Sequence, residues 1–272
     1  MTTTTTTTTT EPDHRPATRL RGDDLRSVLS ALRSEWIKSS TVRANHVILA
    51  LNILGGLAVS WAVGVMVTDE VLYVAEVGFY WTLVASVLAG IGGILLVTSE
   101  FQHGTLATAL AARPSRWVIA LSKTVTALVM GILLGATGLA AGFVGAAASG
   151  IPTGDTSGVL ATCTWSLAWT SMSAVLGVGI GLIVRHSSGA IAGFLVWGFV
   201  VENLLNLFTP PEVARFFPFV AGNHLLDLDS DLDTAETLAV ALSRVENGLV
   251  FGAYAGLALV VGTVLLHRRD AT

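Results

Sequence analysis

The sequence predicts an all-α integral membrane protein with six transmembrane helices. Of its 272 residues, 52% are hydrophobic and only 12% are charged, about half the charged fraction of a soluble domain. The apolar residues fall in runs close to the ~20 residues that a helix needs to cross a bilayer. An amphipathic helix precedes the first run, and a polar turn between the second and third runs has room for a short cytoplasmic helix.

The first 22 residues predict a disordered tail. They include a run of nine threonines followed by charged residues and prolines, a composition that cannot bury an apolar core. A regulatory, phosphorylated tail is the alternative. The segment has no apolar stretch of the kind found in a secretory signal peptide.

Residues 23–40 predict an N-terminal interfacial amphipathic helix. Apolar side chains recur there at helical spacing, while charged and polar side chains occupy the opposite face. The apolar stripe consists of Leu25, Val28, Leu29, Leu32 and Trp36. Because the stripe comes directly before a transmembrane run, we expect this helix to lie in the inner membrane interface, with the tryptophan at headgroup depth.

Residues 44–269 form the predicted six-span transmembrane domain. We place the spans at about 47–67, 77–98, 117–148, 159–184, 188–208 and 248–266. The third is longer than a bilayer requires, so its first turns, including Lys123, are expected to project into the cytoplasm. Glycines recur along it at small-residue spacing, which predicts a closely packed helix face.

The distribution of charge sets the predicted orientation. With six spans, both termini lie on one side of the membrane, and all of the 15 Lys and Arg residues except Arg215 and Arg244 fall on that side. Most acidic residues outside the spans fall on the other. The positive-inside rule therefore places both termini and the polar turn in the cytoplasm of a cell whose plasma membrane holds the protein.

The polar turn comprises residues 99–117, between the second and third spans. Glu100 and His103 stand at its entry, and residues 105–112 are long enough for two helical turns. Pro114 disfavours a helical conformation at Arg113 and ends that helix. A small helix held parallel to the membrane between two spans has the shape needed to transmit force to a soluble partner.

Few polar groups lie inside the apolar runs. Glu202 is the only carboxylate well within one, a costly position that is a functional hypothesis by default. A possible substrate path is lined by Asn52, Glu202, Asn203 and Asn206. The structural alternative for Glu202 is a carboxylate close enough to the outer surface to be hydrated or paired.

Several motifs of enzymes and metal proteins are missing. The chain has no Walker A sequence, no His-Glu-x-x-His and no Gly-x-Ser-x-Gly, so we expect no ATP hydrolysis, no metal site and no catalytic residue in this chain. Four alternating aspartates at 227–233 suggest a calcium loop, but the glycine and the closing glutamate are missing. We interpret them as a solvated acidic loop.

Four features in order resemble ABC-2 type transporter permeases over residues 25–269. The order of these features on a six-span topology is more specific than any one of them. They are the amphipathic helix that ends Ser34-Glu35-Trp36-Ile37-Lys38, the Glu100–Trp117 turn, the stretch from Phe217-Pro218-Phe219 to Gly222-Asn223, and the short last span that ends in arginines.

The resemblance implies a transport subunit that is not itself an enzyme. Such permeases form dimers, either of identical subunits or of two relatives, and each rests on a separate cytoplasmic ATP-binding cassette ATPase that carries ATP and Mg. The turn between the second and third spans is the coupling helix that docks on the ATPase. Its contact candidates here are Glu100, His103, Gly104, Thr105, Leu106, Arg113 and Arg116.

The usual direction of transport in that family is export, and we expect the lipid bilayer but no nucleic acid as a further partner. The sequence does not identify the substrate. A second hypothesis needs no ATPase: a secondary transporter or an intramembrane enzyme centred on Glu202. Ion-coupled carriers commonly contain internal repeats, and none is evident in this sequence.

Overall fold

The computed structural model describes residues 20–105, 116–226 and 235–268, and every regular element in these ranges is helical. A π-helical turn, Trp197–Val201, joins the seventh helix to the eighth. The helices are α1 (Leu20–Thr41), α2 (Arg43–Met66), α3 (Val74–Val77), α4 (Thr82–Gln102), α5 (Arg116–Ala148), α6 (Val159–Val184), α7 (Ser187–Val196), α8 (Glu202–Phe208), α9 (Pro211–Ala214), α10 (Pro218–Asn223), α11 (Ala235–Ala239) and α12 (Arg244–Arg268).

The prediction of six helices long and apolar enough to cross a membrane is confirmed. The structure extends some of them: α4 continues to Gln102, and α12 begins at Arg244. The second span also starts with the separate short helix α3. The predicted Thr-rich tail through residue 19, most of the short helix at 105–112 and the acidic run at 227–233 lie outside the described residues.

The centre of the bundle is the crossing of α4 and α6, the two most buried spans. Their backbones touch at glycines: a methyl group on Gly93 would overlap the carbonyl of Ala174, and one on Gly177 would overlap the carbonyl of Gly90. Small residues allow this approach, which lets dispersion contacts and interhelical packing stabilise a bundle in lipid. Trp169, fully buried, lies in the adjoining apolar core.

The closely packed glycine face predicted for α5 is present. This helix packs against α2 and α6, and its buried small residues include Gly131, Gly135, Gly138 and Gly142. A side chain on Gly131 would meet the backbone of Ser171 at 2.5 Å. With 33 residues, α5 is about 50 Å long, against ~30 Å for the hydrocarbon core.

Several helix ends at one end of the bundle are tied together by polar contacts. The guanidinium of Arg116, at the start of α5, donates to the carbonyls of Leu266 (2.5 Å) and His267 (3.2 Å) at the end of α12. Arg185 donates to the carbonyl of Leu265 at 3.3 Å. The last carbonyls of a helix lack intrahelical partners and carry partial negative charge, so these two arginines cap α12.

Candidate functional site

Four charged side chains from three helices meet beside the polar turn, and we call them the charge cluster: Glu35 and Lys38 of α1, Glu100 of α4 and Lys123 of α5. Each glutamate bridges both lysines. The Lys123 ammonium lies 3.1 Å from Glu35 Oε2 and 2.9 Å from Glu100 Oε2. The Lys38 ammonium lies 3.2 Å from Glu35 Oε1 and 2.9 Å from Glu100 Oε1. The cluster therefore alternates in sign and has no formal net charge.

Lys123 is the most deeply buried member of the charge cluster. Its ammonium also donates to the carbonyl of Leu96 at 3.2 Å, so all three of its hydrogens have acceptors. Its side chain is 1% exposed. Its side chain therefore points into the junction of α1, α4 and α5, and the expectation that the first turns of α5 project into the cytoplasm stays a prediction.

Lys38 closes the cluster on the solvent side, where its side chain remains 47% exposed. Partial burial by itself lowers the pKa of Lys38, but the hydrogen bonds and negative charges of Glu100 and Glu35 outweigh it, so the pKa lies above its usual value. Lys38 is thus charged at neutral pH. The cluster is an ion-paired joint that attaches α1 to the helical bundle at the C-terminal end of α4.

Two features of the sequence indicate parts of this cluster. Glu35 and Lys38 stand three residues apart on one helix, a spacing that permits a side-chain pair. Lys123 is the only lysine or arginine inside α5 beyond its first residue, Arg116, and an isolated charge in an apolar helix calls for a partner. Which helices supply the partners follows only from the packing.

The polar turn leaves α4 through a left-handed residue. Gly104 has φ +67° and open space around its Cα, a conformation that commonly ends helices because glycine adopts it without steric cost. His103, Gly104 and Thr105 are exposed. His103 Nδ1 lies 2.7 Å from the carbonyl of Ser99. The described beginning of the turn therefore lies on the surface of the protein.

Two of the predicted contact candidates do not belong to that exposed surface. Glu100 is 8% exposed and is engaged in the charge cluster, and Arg116 caps α12. They hold the two ends of the turn rather than offering free charge to a partner. Leu106 and Arg113 lie outside the described residues.

The residues of the predicted substrate path do not converge. Asn52 is fully buried and donates to the carbonyl of Leu134 at 2.8 Å and to the hydroxyl of Thr137 at 3.1 Å. Its oxygen accepts from the indole of Trp81 at 3.0 Å. All of its strong hydrogen-bonding groups are thus engaged in joining α2 to α5 and to the start of α4.

Glu202 lies elsewhere, next to the short helix α10. Its carboxylate accepts from the backbone N–H of Val220 at 2.7 Å and from the indole of Trp197 at 3.2 Å, and it is 2% exposed. Asn203 and Asn206 are exposed on α8; Asn203 donates to the carbonyl of Gly198 at 3.1 Å. The geometry gives Glu202 a structural task, because it holds α10 against the π-helical turn.

The apolar stripe of α1 can be described from Leu29 onward, while the side chains of Leu25 and Val28 lie outside the described residues. Leu29 is 63% exposed and Trp36 45%, and Leu32 is half-buried. The buried face of the helix is instead Ala31, Glu35 and Ser39, which packs towards α5. Leu29 and Trp36 therefore face away from the bundle.

Neither the described geometry nor comparison with known proteins assigns this site to a known class. In the part of the chain that the structure describes, no three His, Cys, Asp or Glu residues come together as metal ligands would. Comparison with models of known protein families and with curated proteins found no match. The findings establish a multi-pass helical protein of membrane-like composition, with an ion-paired joint next to its polar turn.

Proposed function

We propose that the chain is the membrane-spanning permease subunit of an ATP-binding cassette transporter of the ABC-2 type. The observation that carries the proposal is the anchoring of the polar turn at both ends. Its entry is fixed through Glu100 in the charge cluster, and its exit is fixed through Arg116 at the end of α12. A partner that pushes on the exposed residues His103, Gly104 and Thr105 therefore acts beside a carboxylate that is ion-paired to two other helices.

The connections from the two anchors lead into the body of the protein. Displacement of Glu100 acts on α1 and α5 through the lysines, and on the α4–α6 crossing through the rest of α4. Displacement of Arg116 acts on α12, which packs along α6. Force on the turn therefore reaches the central pair of helices by two routes, which suits a change between inward-open and outward-open states.

In this proposal a separate cytoplasmic ATPase binds ATP and Mg, and a second permease subunit, identical or related, completes the transporter in the plasma membrane. Both termini and the polar turn face the cytoplasm, and substrate moves outward. The contacts with the ATPase are His103, Gly104 and Thr105 together with Leu106 and Arg113. Glu100 and Arg116 act as anchors behind that surface.

Affinity purification of the tagged chain from its native membrane tests the proposal. We expect an ATP-binding cassette ATPase to be recovered with it, and His103→Ala/Arg113→Ala to abolish that recovery while the permease stays folded. Asp155→Ala, on an exposed loop on the opposite side of the predicted topology, is the matched control and should leave recovery unchanged. Recovery of no such ATPase, with transport unaffected by the double substitution, would reject the proposal.

The alternative without an ATPase would centre on Glu202. The hydrogen bonds from Val220 and Trp197 occupy that carboxylate in a capping arrangement, so the geometry supports this alternative less well. It predicts that Glu202→Gln eliminates function without any dependence on ATP. The permease proposal predicts that activity tracks the ATPase and the polar turn instead.

A further inference from the structure

An apolar cavity of about 240 Å³ lies between the end of α1, the first turns of α2 and the middle of α5. Its inner wall is formed by aliphatic side chains, among them Leu49 and Leu133. Polar groups line the part nearest the α1–α2 junction, including Ser39, Asn45 and His46. The cavity is thus lined mainly by aliphatic side chains, and its polar lining residues come from the end of α1 and the first turn of α2.

Ser39 provides a polar atom that the protein does not satisfy. The residue is 7% exposed, lines the cavity, and its hydroxyl has no hydrogen-bond partner in the structure. The adjacent backbone is well fixed, because Asn45 donates to the Ser39 carbonyl at 2.8 Å. A buried polar group without a partner is costly, so an occupant that accepts a hydrogen bond from this hydroxyl would be favoured.

An exposed arginine lies close in sequence to the polar residues that line the cavity. Arg43 is exposed at the start of α2, one helical turn before His46, so the two residues share a face. Within the described residues Arg43 has no acidic partner, and the nearby charge cluster has no formal net charge to offset it. An anionic group outside the cavity would therefore find an arginine available.

We propose that this cavity, with Arg43, is a binding site for one anionic phospholipid of the inner leaflet. One acyl chain fills the apolar interior, an ester carbonyl accepts the hydrogen bond of the Ser39 hydroxyl, and the phosphate lies against Arg43 and His46. The cavity is smaller than the roughly 300–1,000 Å³ of pockets that enclose a whole drug-sized ligand. Its occupant therefore leaves part of itself outside, as a lipid does.

The site ties a lipid to the junction between α1 and α2, one helical turn along α1 from Glu35 of the charge cluster. It shares with the proposed function only the predicted orientation, which makes the leaflet the inner one, because neither an ATPase nor a substrate takes part. The inference would survive if the chain were another kind of membrane protein, and it could fail while the permease proposal held.

Native mass spectrometry of the full chain in detergent tests the site. Palmitoyl-oleoyl phosphatidylglycerol and phosphatidylcholine, which share their acyl chains, are added at equal concentration. We expect a single phosphatidylglycerol adduct that is retained in preference to phosphatidylcholine. Arg43→Gln should lower its retention about fivefold, as expected for one arginine near an anionic surface, and Ser39→Ala about fivefold through the lost hydrogen bond.

Leu49→Trp should remove the adduct by filling the cavity, whereas Leu54→Trp, which places the same bulk on the exposed face of α2, should keep it. Arg33→Gln, on the exposed side of α1, is the control for loss of charge. If Leu49→Trp does not fold, Ser39→Ala carries the test of the cavity. Equal retention of the two lipids, displacement of the lipid by excess inorganic phosphate, or retention unchanged in both Arg43→Gln and Ser39→Ala would overturn the proposal.

Discussion

The two lysines of the charge cluster touch the same carboxylates but differ in their access to water. The side chain of Lys123 is 1% exposed and that of Lys38 is 47% exposed. Solvent screens a half-exposed ion pair and can replace its lost partner. Removal of Lys123 would instead leave two largely buried carboxylates to share the single ammonium of Lys38, so one negative charge would be uncompensated away from water.

Lys123→Met is therefore expected to lower the free energy of unfolding by about 3–5 kcal/mol, the usual cost of breaking a buried ion pair. Lys38→Met, the matched substitution at the exposed position, should cost about 1 kcal/mol or less. Chemical denaturation in mixed micelles measures both. Equal effects would mean that the cluster is uniformly hydrated.

The double variant Lys123→Met/Glu35→Gln separates charge balance from packing. It removes one charge of each sign, so it should be less destabilised than the sum of its two single variants, as expected for groups in contact. Additive costs would show that the two side chains act independently.

The carboxylate of Glu202 accepts hydrogen bonds that hold α10 in place, so its removal is expected to lower the stability of the protein. Glu202→Ala leaves the N–H of Val220 and the indole of Trp197 without their acceptor, which should cost about 1–3 kcal/mol of stability. Glu76→Ala, at an exposed carboxylate, should change stability by no more than about 0.5 kcal/mol. Loss of function at Glu202 without loss of stability would favour the ATPase-independent hypothesis.

At the scale of the helix, glycine has opposite consequences in different places. In α4, a methyl group on Gly93 would overlap the carbonyl of Ala174 across the central crossing. In α12, a methyl group on Gly256 would meet nothing within 4 Å. The first glycine serves interhelical contact, whereas the second only adds conformational freedom to the unfolded chain.

Gly93→Ala should consequently destabilise the protein by about 1–3 kcal/mol through overpacking. Gly256→Ala should stabilise it by about 0.5–1 kcal/mol, because alanine is the better helix former. The midpoints of thermal unfolding in one detergent give the order of the two variants and the wild type. A Gly93→Ala variant as stable as wild type would mean that α4 and α6 separate without cost.

For the whole molecule, the orientation of the helical bundle in the membrane can be tested by labelling. In a Cys163→Ala background, His103→Cys should react with a membrane-impermeant maleimide only after the cells are permeabilised, because the positive-inside rule places the polar turn in the cytoplasm. Asp155→Cys, on the connection between α5 and α6, should react in intact cells. The reverse labelling pattern would show the opposite topology and contradict the proposal that a cytoplasmic ATPase binds the polar turn.

The number of candidate spans could be predicted from the sequence because a bilayer imposes a length and a polarity that one helix must meet by itself. The long α5 and its glycine face were also evident, since periodicity is a local property. The ends of the helices could not be predicted as well. The predicted second span stops at residue 98, whereas α4 continues to Gln102 and ends before the left-handed Gly104, because polar residues extend the helix beyond the apolar run.

The sequence by itself determined a helical membrane protein with six apolar runs, a basic side and a polar turn at residues 99–117. Only the tertiary structure decided that Lys123 turns inward, that Glu100 and Arg116 are anchors, and that Asn52 and Glu202 belong to separate hydrogen-bonded sites. The reason is physical. Hydropathy acts on each segment alone, whereas a buried charge takes its partners from whichever helices packing brings within about 3 Å.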